Sequence, residues 1–215
     1  MTLRPRVLRI SVFGLSFLLC VQAVSAHAAP SEAAALVIKQ SARAATAFFS
    51  SVDASGCIST AVFVVAAVDD EQTLPAAPVA TPRVALVISQ FDSCAIAPML
   101  TGNGVTTDAA IVVAPNLNAA TVTATVPVLN GADGNLVNVY VDLHFDATSS
   151  MLADNGLEQN WNVPEIRINT AFHQTFRNAS AYGSITSFTG QLTPGPSVEA
   201  MIQNIIVGTV VIDSE

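Results

Sequence analysis

The stretch Leu136-Val137-Asn138-Val139-Tyr140-Val141-Asp142-Leu143-His144-Phe145-Asp146 decides the fold of this chain. Apolar and polar residues alternate along it without a break. Because successive side chains of a strand point to opposite faces, the pattern predicts one buried and one exposed face. The predicted buried side chains are Val137, Val139, Val141, Leu143 and Phe145, and the predicted exposed ones are Asn138, Tyr140, Asp142, His144 and Asp146.

The residues just before this stretch predict its partner strand. Residues 121–129 alternate in the same way, and the six residues between the two segments, Asn-Gly-Ala-Asp-Gly-Asn, are strong turn formers. Two alternating segments on either side of such a turn are typical of a β-hairpin. We therefore expect residues 121–146 to form one.

Further strands follow from the rest of the chain. We expect them near residues 35–52, 57–68, 83–91, 109–114, 165–177, 182–192 and 205–212, with loops at 69–82, 92–107 and 147–164 and a chain reversal at 178–180. No helix long enough to connect parallel strands is apparent. About eight or nine strands separated by turn residues predict an all-β domain, namely an antiparallel β-sandwich of jelly-roll type, with a closed β-barrel as the alternative.

The N-terminus resembles a signal peptide in its charge and hydropathy. Arg4, Arg6 and Arg9 precede an apolar segment at 10–24, and Val24-Ser25-Ala26 supplies the small residues that signal peptidase recognises. The apolar segment is shorter than the roughly 20 residues of a membrane span. We expect residues 1–26 to be removed and residues 27–215 to form one domain, secreted to the periplasm, the cell surface or the medium without stable membrane insertion.

Charge narrows the choice of partners. Only 11% of the 215 residues are charged, and the loss of the three arginines would leave five basic residues against sixteen acids, a net charge of −11. Nucleic acids and anionic membranes attract basic surfaces, so neither is an expected partner. A protein, a glycan or a small molecule remains open.

Two cysteines, Cys57 and Cys94, remain after the predicted cleavage. Each follows a turn signal at the end of a predicted strand, and exported proteins fold in an oxidising compartment. No Cys-x-x-Cys spacing or neighbouring histidine points to a metal or redox site instead. We predict a Cys57–Cys94 disulfide.

The most suggestive constellation is Asp142-x-His144-x-Asp146, which places three polar groups on one strand face about 7 Å apart. With His173 from another predicted strand, they are candidate ligands for a metal ion. We favour a solvated polar face instead, whose acids pair across the sheet with the predicted outward residues Arg167 and Arg177. Trp161, the only tryptophan, lies in a predicted loop and is a candidate for an exposed binding site.

No motif with a defined activity accompanies these residues. A Gly-x-Ser-x-Gly elbow, a phosphate-binding loop and a dinucleotide fingerprint are all missing from the sequence, and we expect no cofactor. The favoured interpretation is a non-enzymatic binding or structural module. The alternatives are a secreted hydrolase or metal-dependent enzyme that uses the Asp142/His144/Asp146 face, and a barrel that binds a small apolar ligand.

Overall fold

Antiparallel strands make up almost all of the chain that the structure describes. The computed structural model describes residues 36–212 except 74–76, 96–99, 164–165, 188–189, 193–196 and 198, so the predicted signal peptide lies outside it. Among these residues, no helix is long and apolar enough to cross a membrane. The strands of the described chain are β1 (Leu36–Val52), β2 (Ile58–Thr73), β3 (Val79–Asp92), β4 (Leu100–Thr106), β5 (Ala109–Val113), β6 (Ala119–Asn130), β7 (Leu136–Ala147), β8 (Leu152–Val163), β9 (Ile166–Ser187), β10 (Gly190–Leu192) and β11 (Glu199–Ile212).

One sheet contains all of these strands and closes on itself. The hydrogen-bonded order is β1–β2–β3–β4–β6–β7–β9–β11, and β11 pairs with β1. Strand β5 pairs with β6, while β8 and β10 pair with β9. The predicted all-β class is confirmed as a sandwich- or barrel-like ring, in which closure pairs the strand edges and leaves an interior for the apolar side chains.

The β6–β7 hairpin is confirmed, together with its faces. Leu129 pairs with Leu136, and the register continues to Ala119 opposite Asp146. Val139, Val141, Leu143 and Phe145 are at most 1% exposed, whereas Val137 at the start of β7 is only partly buried. Outside β7, the largest fully buried side chains of the described core are Leu86, Ile88, Leu117, Ile185, Ile202, Val62, Val64, Val84, Val122 and Val126.

Strand β9 corrects the predicted chain reversal at 178–180. It continues through these residues from Ile166 to Ser187. On one edge its partner changes here from β8 to β7, and on the other edge it stays paired with β11 as far as Ala179. Asn-Ala-Ser is a turn-like composition, but pairing on both edges keeps the backbone extended.

All three predicted loops contain strand residues, and residues 69–82 include the end of β2 and the start of β3. Residues 92–107 include β4, and residues 147–164 include β8. Their glycines serve strand geometry instead of turns: a side chain at Gly104 would overlap the carbonyl group of Pro127 on β6. In β8 the register with β9 shifts between Asn155 and Glu158, around Gly156.

A second close approach lies where β7 meets β9 and the ring closes. Gly183 pairs with Leu143 and has φ +141°, a conformation that favours glycine. A Cβ atom at this position would overlap the backbone carbonyl oxygen of Asp142. Glycine therefore lets the two strands come together at this seam.

The predicted disulfide is present in the structure, and it joins Cys57 to Cys94 with their Cα atoms 5.3 Å apart. The Asp53 carboxylate accepts hydrogen bonds from the backbone N–H groups of Cys57 (3.0 Å) and Ile58 (2.9 Å), and Asp92 accepts one from Cys94 N–H (2.9 Å). The hydrogen bond from Ser55 and those from the backbone lower the pKa of Asp53. The disulfide therefore joins two turns, and each turn is stabilised by hydrogen bonds to an aspartate.

Arg177 lies on the inner face of β9, which corrects its predicted outward position. It pairs in register with Ile202, a fully buried residue of β11, and directly opposite residues of an antiparallel pair share a face. Its guanidinium donates hydrogen bonds to the backbone carbonyls of Asn116 (3.0 Å) and Ser149 (3.1 Å). The inward residues farther along β9 are the small Ala179 and Ala181, which is why hydrophobicity alone predicted the opposite face.

Candidate functional site

The outward sides of β6, β7 and β9 form a continuous surface, which we call the polar face. It is rich in hydroxyl groups, aromatic rings and carboxylates. Its members are Thr121, Thr123 and Thr125 of β6, Asn138, Tyr140, Asp142, His144 and Asp146 of β7, and Ser180, Tyr182, Ser184 and Thr186 of β9.

Strand register brings these side chains into rows across the sheet. His144 lies between Thr121 and Tyr182, and Asp142 lies between Thr123 and Ser184. The sequence predicts that β7 contributes its polar residues, but only the pairing of β7 with β9 reveals that Tyr182 is next to His144.

Hydrogen bonds and ring stacking orient the groups of the polar face. The rings of His144 and Tyr182 stack with centroids 5.6 Å apart and planes 21° from parallel. The Tyr182 hydroxyl donates to Asp146 Oδ2 (3.1 Å), and the Thr123 hydroxyl donates to Asp142 Oδ1 (3.3 Å). Both carboxylates are thus engaged by hydroxyl groups.

Tyr140 is a second exposed ring on the same face. It is four residues from His144, about 13 Å along the strand, with Asp142 between them. Its backbone N–H donates to Thr186 Oγ1 of β9 (2.7 Å). Because Tyr140 is 43% exposed and Tyr182 is 47% exposed, both rings are accessible to a ligand.

We expect Tyr182 to titrate above the usual tyrosine value of about 10. Its hydrogen bond to Asp146 and the negative charge of that carboxylate raise the pKa of Tyr182. The folded state therefore favours the neutral phenol of Tyr182. The resulting contribution to the stability of the fold is present below about pH 10 and is lost as the pH rises through the pKa of Tyr182 in the folded protein. Tyr140→Phe leaves Tyr182 as the only tyrosine, so ultraviolet titration of this variant measures it directly.

The control for this titration is Asp146→Asn in the same Tyr140→Phe background. Loss of the carboxylate charge should lower the Tyr182 pKa towards its usual value. An unchanged titration curve would show that Asp146 does not act on Tyr182.

The structure does not bring His173 to the other proposed metal ligands. His173 is nine residues from Tyr182, the partner of His144, which is about 30 Å along β9, and the odd spacing places it on the opposite face. Within the described residues, no group of three or more His, Cys, Asp or Glu side chains is arranged to hold a metal ion. The four predicted residues therefore do not assemble into one site.

The remaining predicted site residues lie away from the polar face. Arg177 contacts backbone carbonyls on the inner side of the ring, so it is not the outward basic partner proposed for the acids. Trp161 lies in β8 opposite Ile168 of β9, in a strand and not in a loop. The side chains of Trp161 and Arg167 lie outside the described part of the structure.

Comparison with known proteins adds little to this geometry. No family model and no curated protein matches the chain. Among solved structures, the chain is similar to one from Nitrosomonas europaea, provisionally described as AttH, with 6% sequence identity and a TM-score of 0.33. The match covers 84% of this chain and 52% of that chain. A similarity of this degree carries no argument about function.

Proposed function

We propose that this protein is an exported, non-enzymatic binding module that uses its polar face to bind a neutral glycan. The observation that carries the proposal is the exposed Tyr140 ring and the stacked His144–Tyr182 pair, with the oriented carboxylates of Asp142 and Asp146 beside them.

The chemistry of the face suits a ligand that is apolar on one side and rich in hydroxyl groups at its edges. Exposed aromatic rings can pack against the C–H groups of a sugar ring. Ionised carboxylates accept strong hydrogen bonds from sugar hydroxyl groups. The face carries eight hydroxyl groups of its own that both donate and accept, from Thr121, Thr123, Thr125, Tyr140, Ser180, Tyr182, Ser184 and Thr186.

Charge favours a neutral ligand over an anionic one. None of the outward positions of the polar face is Lys or Arg, while two of them are aspartates. The chain as a whole has a net charge of −8. Phosphorylated or sulfated partners would therefore be repelled.

The support beneath the face is rigid. On the opposite side of the same strands, Val141, Leu143 and Ile185 are fully buried. Side chains held on well-packed strands lose little conformational freedom when a ligand binds, which favours affinity. The open, exposed rings favour binding over catalysis, because enzyme sites are usually concave and exclude water.

Export of this module is supported by two independent features. Residues 1–26 have the pattern of a signal peptide. The Cys57–Cys94 disulfide is compatible with a periplasmic or extracellular location.

Retention on insoluble neutral polysaccharides, followed by titration with soluble neutral oligosaccharides, tests the proposal. We expect Tyr140→Ala and Tyr182→Ala each to weaken binding about tenfold or more, as is common for aromatic anchors at binding hot spots. Met151→Ala, at a 43% exposed position outside the polar face, is the matched control and should bind as the wild type does.

Two results would contradict the proposal. One is a folded wild-type protein that binds none of the neutral glycans. The other is binding that Tyr140→Ala and Tyr182→Ala leave unchanged while circular dichroism shows both variants to be folded.

A further inference from the structure

The aromatic rings of the polar face form two separate groups, which we call the two aromatic platforms. One platform is the Tyr140 ring, opposite Thr125 of β6. The other is the stacked pair of His144 and Tyr182. Because Tyr140 and His144 are both outward residues of β7, the two platforms follow each other along the same strand.

The polar face is longer along β7 than it is across the sheet. At about 3.4 Å per residue, the outward side chains from Asn138 to Asp146 cover about 27 Å, whereas three neighbouring strands span only about 10 Å. The two platforms are four residues apart on β7, a separation of about 13 Å. A ligand that contacts both platforms therefore has to be long and has to lie along β7.

The row of side chains between the two platforms is less exposed than the platforms are. It consists of three short polar side chains that are half-buried, namely Thr123, Asp142 and Ser184. The Thr123 hydroxyl donates to Oδ1 of Asp142, and within the described residues Oδ2 of Asp142 accepts no hydrogen bond. A ligand that rests on both platforms would therefore pass over a carboxylate oxygen that can accept a hydrogen bond from it.

We propose that the polar face binds an extended chain of neutral sugars that lies along β7 and contacts both platforms at once. This inference rests on the glycan binding proposed above and specifies the form of the glycan. From covalent bonds of about 1.5 Å, a pyranose ring and its glycosidic oxygen lengthen a chain by about 5 Å. A separation of about 13 Å is therefore too long for a disaccharide and suits a chain of about three or four sugar units.

The shape of the surface favours an extended chain over a coiled one. The polar face is on the outside of a closed ring, so it curves away from a ligand that lies across the strands. Along a single strand the backbone is extended, and a ligand can follow it. A β-1,4-linked chain keeps its sugar rings close to one line, whereas an α-1,4-linked chain coils and would leave one of the platforms.

Two platforms predict that affinity depends on the length of the ligand. Once one part of a chain is bound to the first platform, its contact with the second platform is intramolecular, which raises the affinity well above that of either contact alone. A disaccharide reaches only one platform at a time. Affinity should therefore rise steeply between two and four sugar units, and it should level off once the chain covers the face.

Isothermal titration calorimetry of the purified protein with β-1,4-linked glucose, mannose and xylose oligomers of two to six units tests this inference. In at least one series, the wild type should bind the tetrasaccharide at least tenfold more tightly than the disaccharide. α-1,4-linked glucose oligomers of the same lengths should gain little affinity with length.

The tyrosine variants test whether the two platforms cause the length dependence. Tyr140→Ala and Tyr182→Ala should each weaken tetrasaccharide binding at least tenfold. Each should weaken disaccharide binding only about twofold, because the disaccharide loses one of two alternative platforms. Met151→Ala, outside the polar face, is the matched control and should keep the length dependence of the wild type.

Three outcomes would overturn the extended chain without contradicting glycan binding. In the first, the disaccharide binds as tightly as the tetrasaccharide. In the second, the α-1,4-linked series gains as much affinity with length as the β-1,4-linked series does. In the third, both tyrosine variants, shown by circular dichroism to be folded, keep the length dependence of the wild type. Absence of binding to every oligomer would also overturn the inference, and the retention experiment on insoluble polysaccharides then decides whether the proposed function fails with it.

Discussion

Replacement of Gly183 by alanine is expected to lower the free energy of unfolding by about 3–5 kcal/mol. The new methyl group would overlap the carbonyl oxygen of Asp142, and the backbone at φ +141° is itself unfavourable for alanine. The strands could relieve the overlap only by moving apart at the β7–β9 seam. That movement would disturb the packing of Leu143 and Ile185, both fully buried there.

Gly134→Ala is the matched control. Gly134 also has a positive φ, +71°, but a Cβ atom there would have no neighbour within 4 Å. Its replacement should cost about 1 kcal/mol, which is the conformational part of the effect alone. Urea unfolding of both variants measures the difference, and a Gly183→Ala variant as stable as Gly134→Ala would disprove the close approach of β7 and β9.

Loss of the disulfide is expected to cost about 4 kcal/mol. The bridge joins residues 37 positions apart, and the chain-entropy model gives about this value for a closed loop of that length. The double variant Cys57→Ser/Cys94→Ser should therefore unfold at a lower urea concentration, with a somewhat steeper slope because the unfolded chain is less compact without the cross-link. Its far-UV circular dichroism spectrum should be unchanged, because the hydrogen bonds to Asp53 and Asp92 still stabilise the two turns that the disulfide joined.

Wild-type protein unfolded in the presence of a reductant is the control for this variant. It should be destabilised as much as the double variant is, because both lack the same cross-link. Equal stability of the oxidised wild type and the double variant would show that the bridge does not contribute.

The parts of the fold that follow from sequence are those set by local patterns. The β6–β7 hairpin was predictable because alternation fixes the faces of both strands and Asn130 and Gly134 fix the turn between them. The disulfide was predictable because only Cys57 and Cys94 remain after the predicted cleavage. Neighbouring residues carry the information for the hairpin, and the number of cysteines carries it for the disulfide.

The parts that did not follow depend on partners that are distant in the sequence. Residues 178–180 remain extended because β7, β8 and β11 pair along β9, and no local signal announces that these strands pair with it. Glycines were misleading for the same reason. Gly104 lies within a strand and allows the neighbouring strand β6 to approach closely. From the sequence alone, a glycine in this role cannot be distinguished from a glycine in a turn.

In the candidate site, too, the residues set by a local pattern were predicted and the residue contributed by a distant strand was not. Asp142, His144 and Asp146 were found from their spacing on one strand. Tyr182, which stacks on His144 and bonds to Asp146, lies 36 residues from Asp146 and was missed. The alternation of Tyr140 with the same acids was the one local sign that aromatic rings belong to this face.

The pairing of the first described strand with the last has a consequence for how the protein folds. Leu36 pairs with Ile212, so the ring cannot close until nearly all of the described chain has been synthesised. Contacts between such distant residues slow folding, and a partial sheet with unpaired edges is prone to aggregate. A nascent chain that cannot complete its fold early also remains extended for longer, which would suit the export that we propose for this protein.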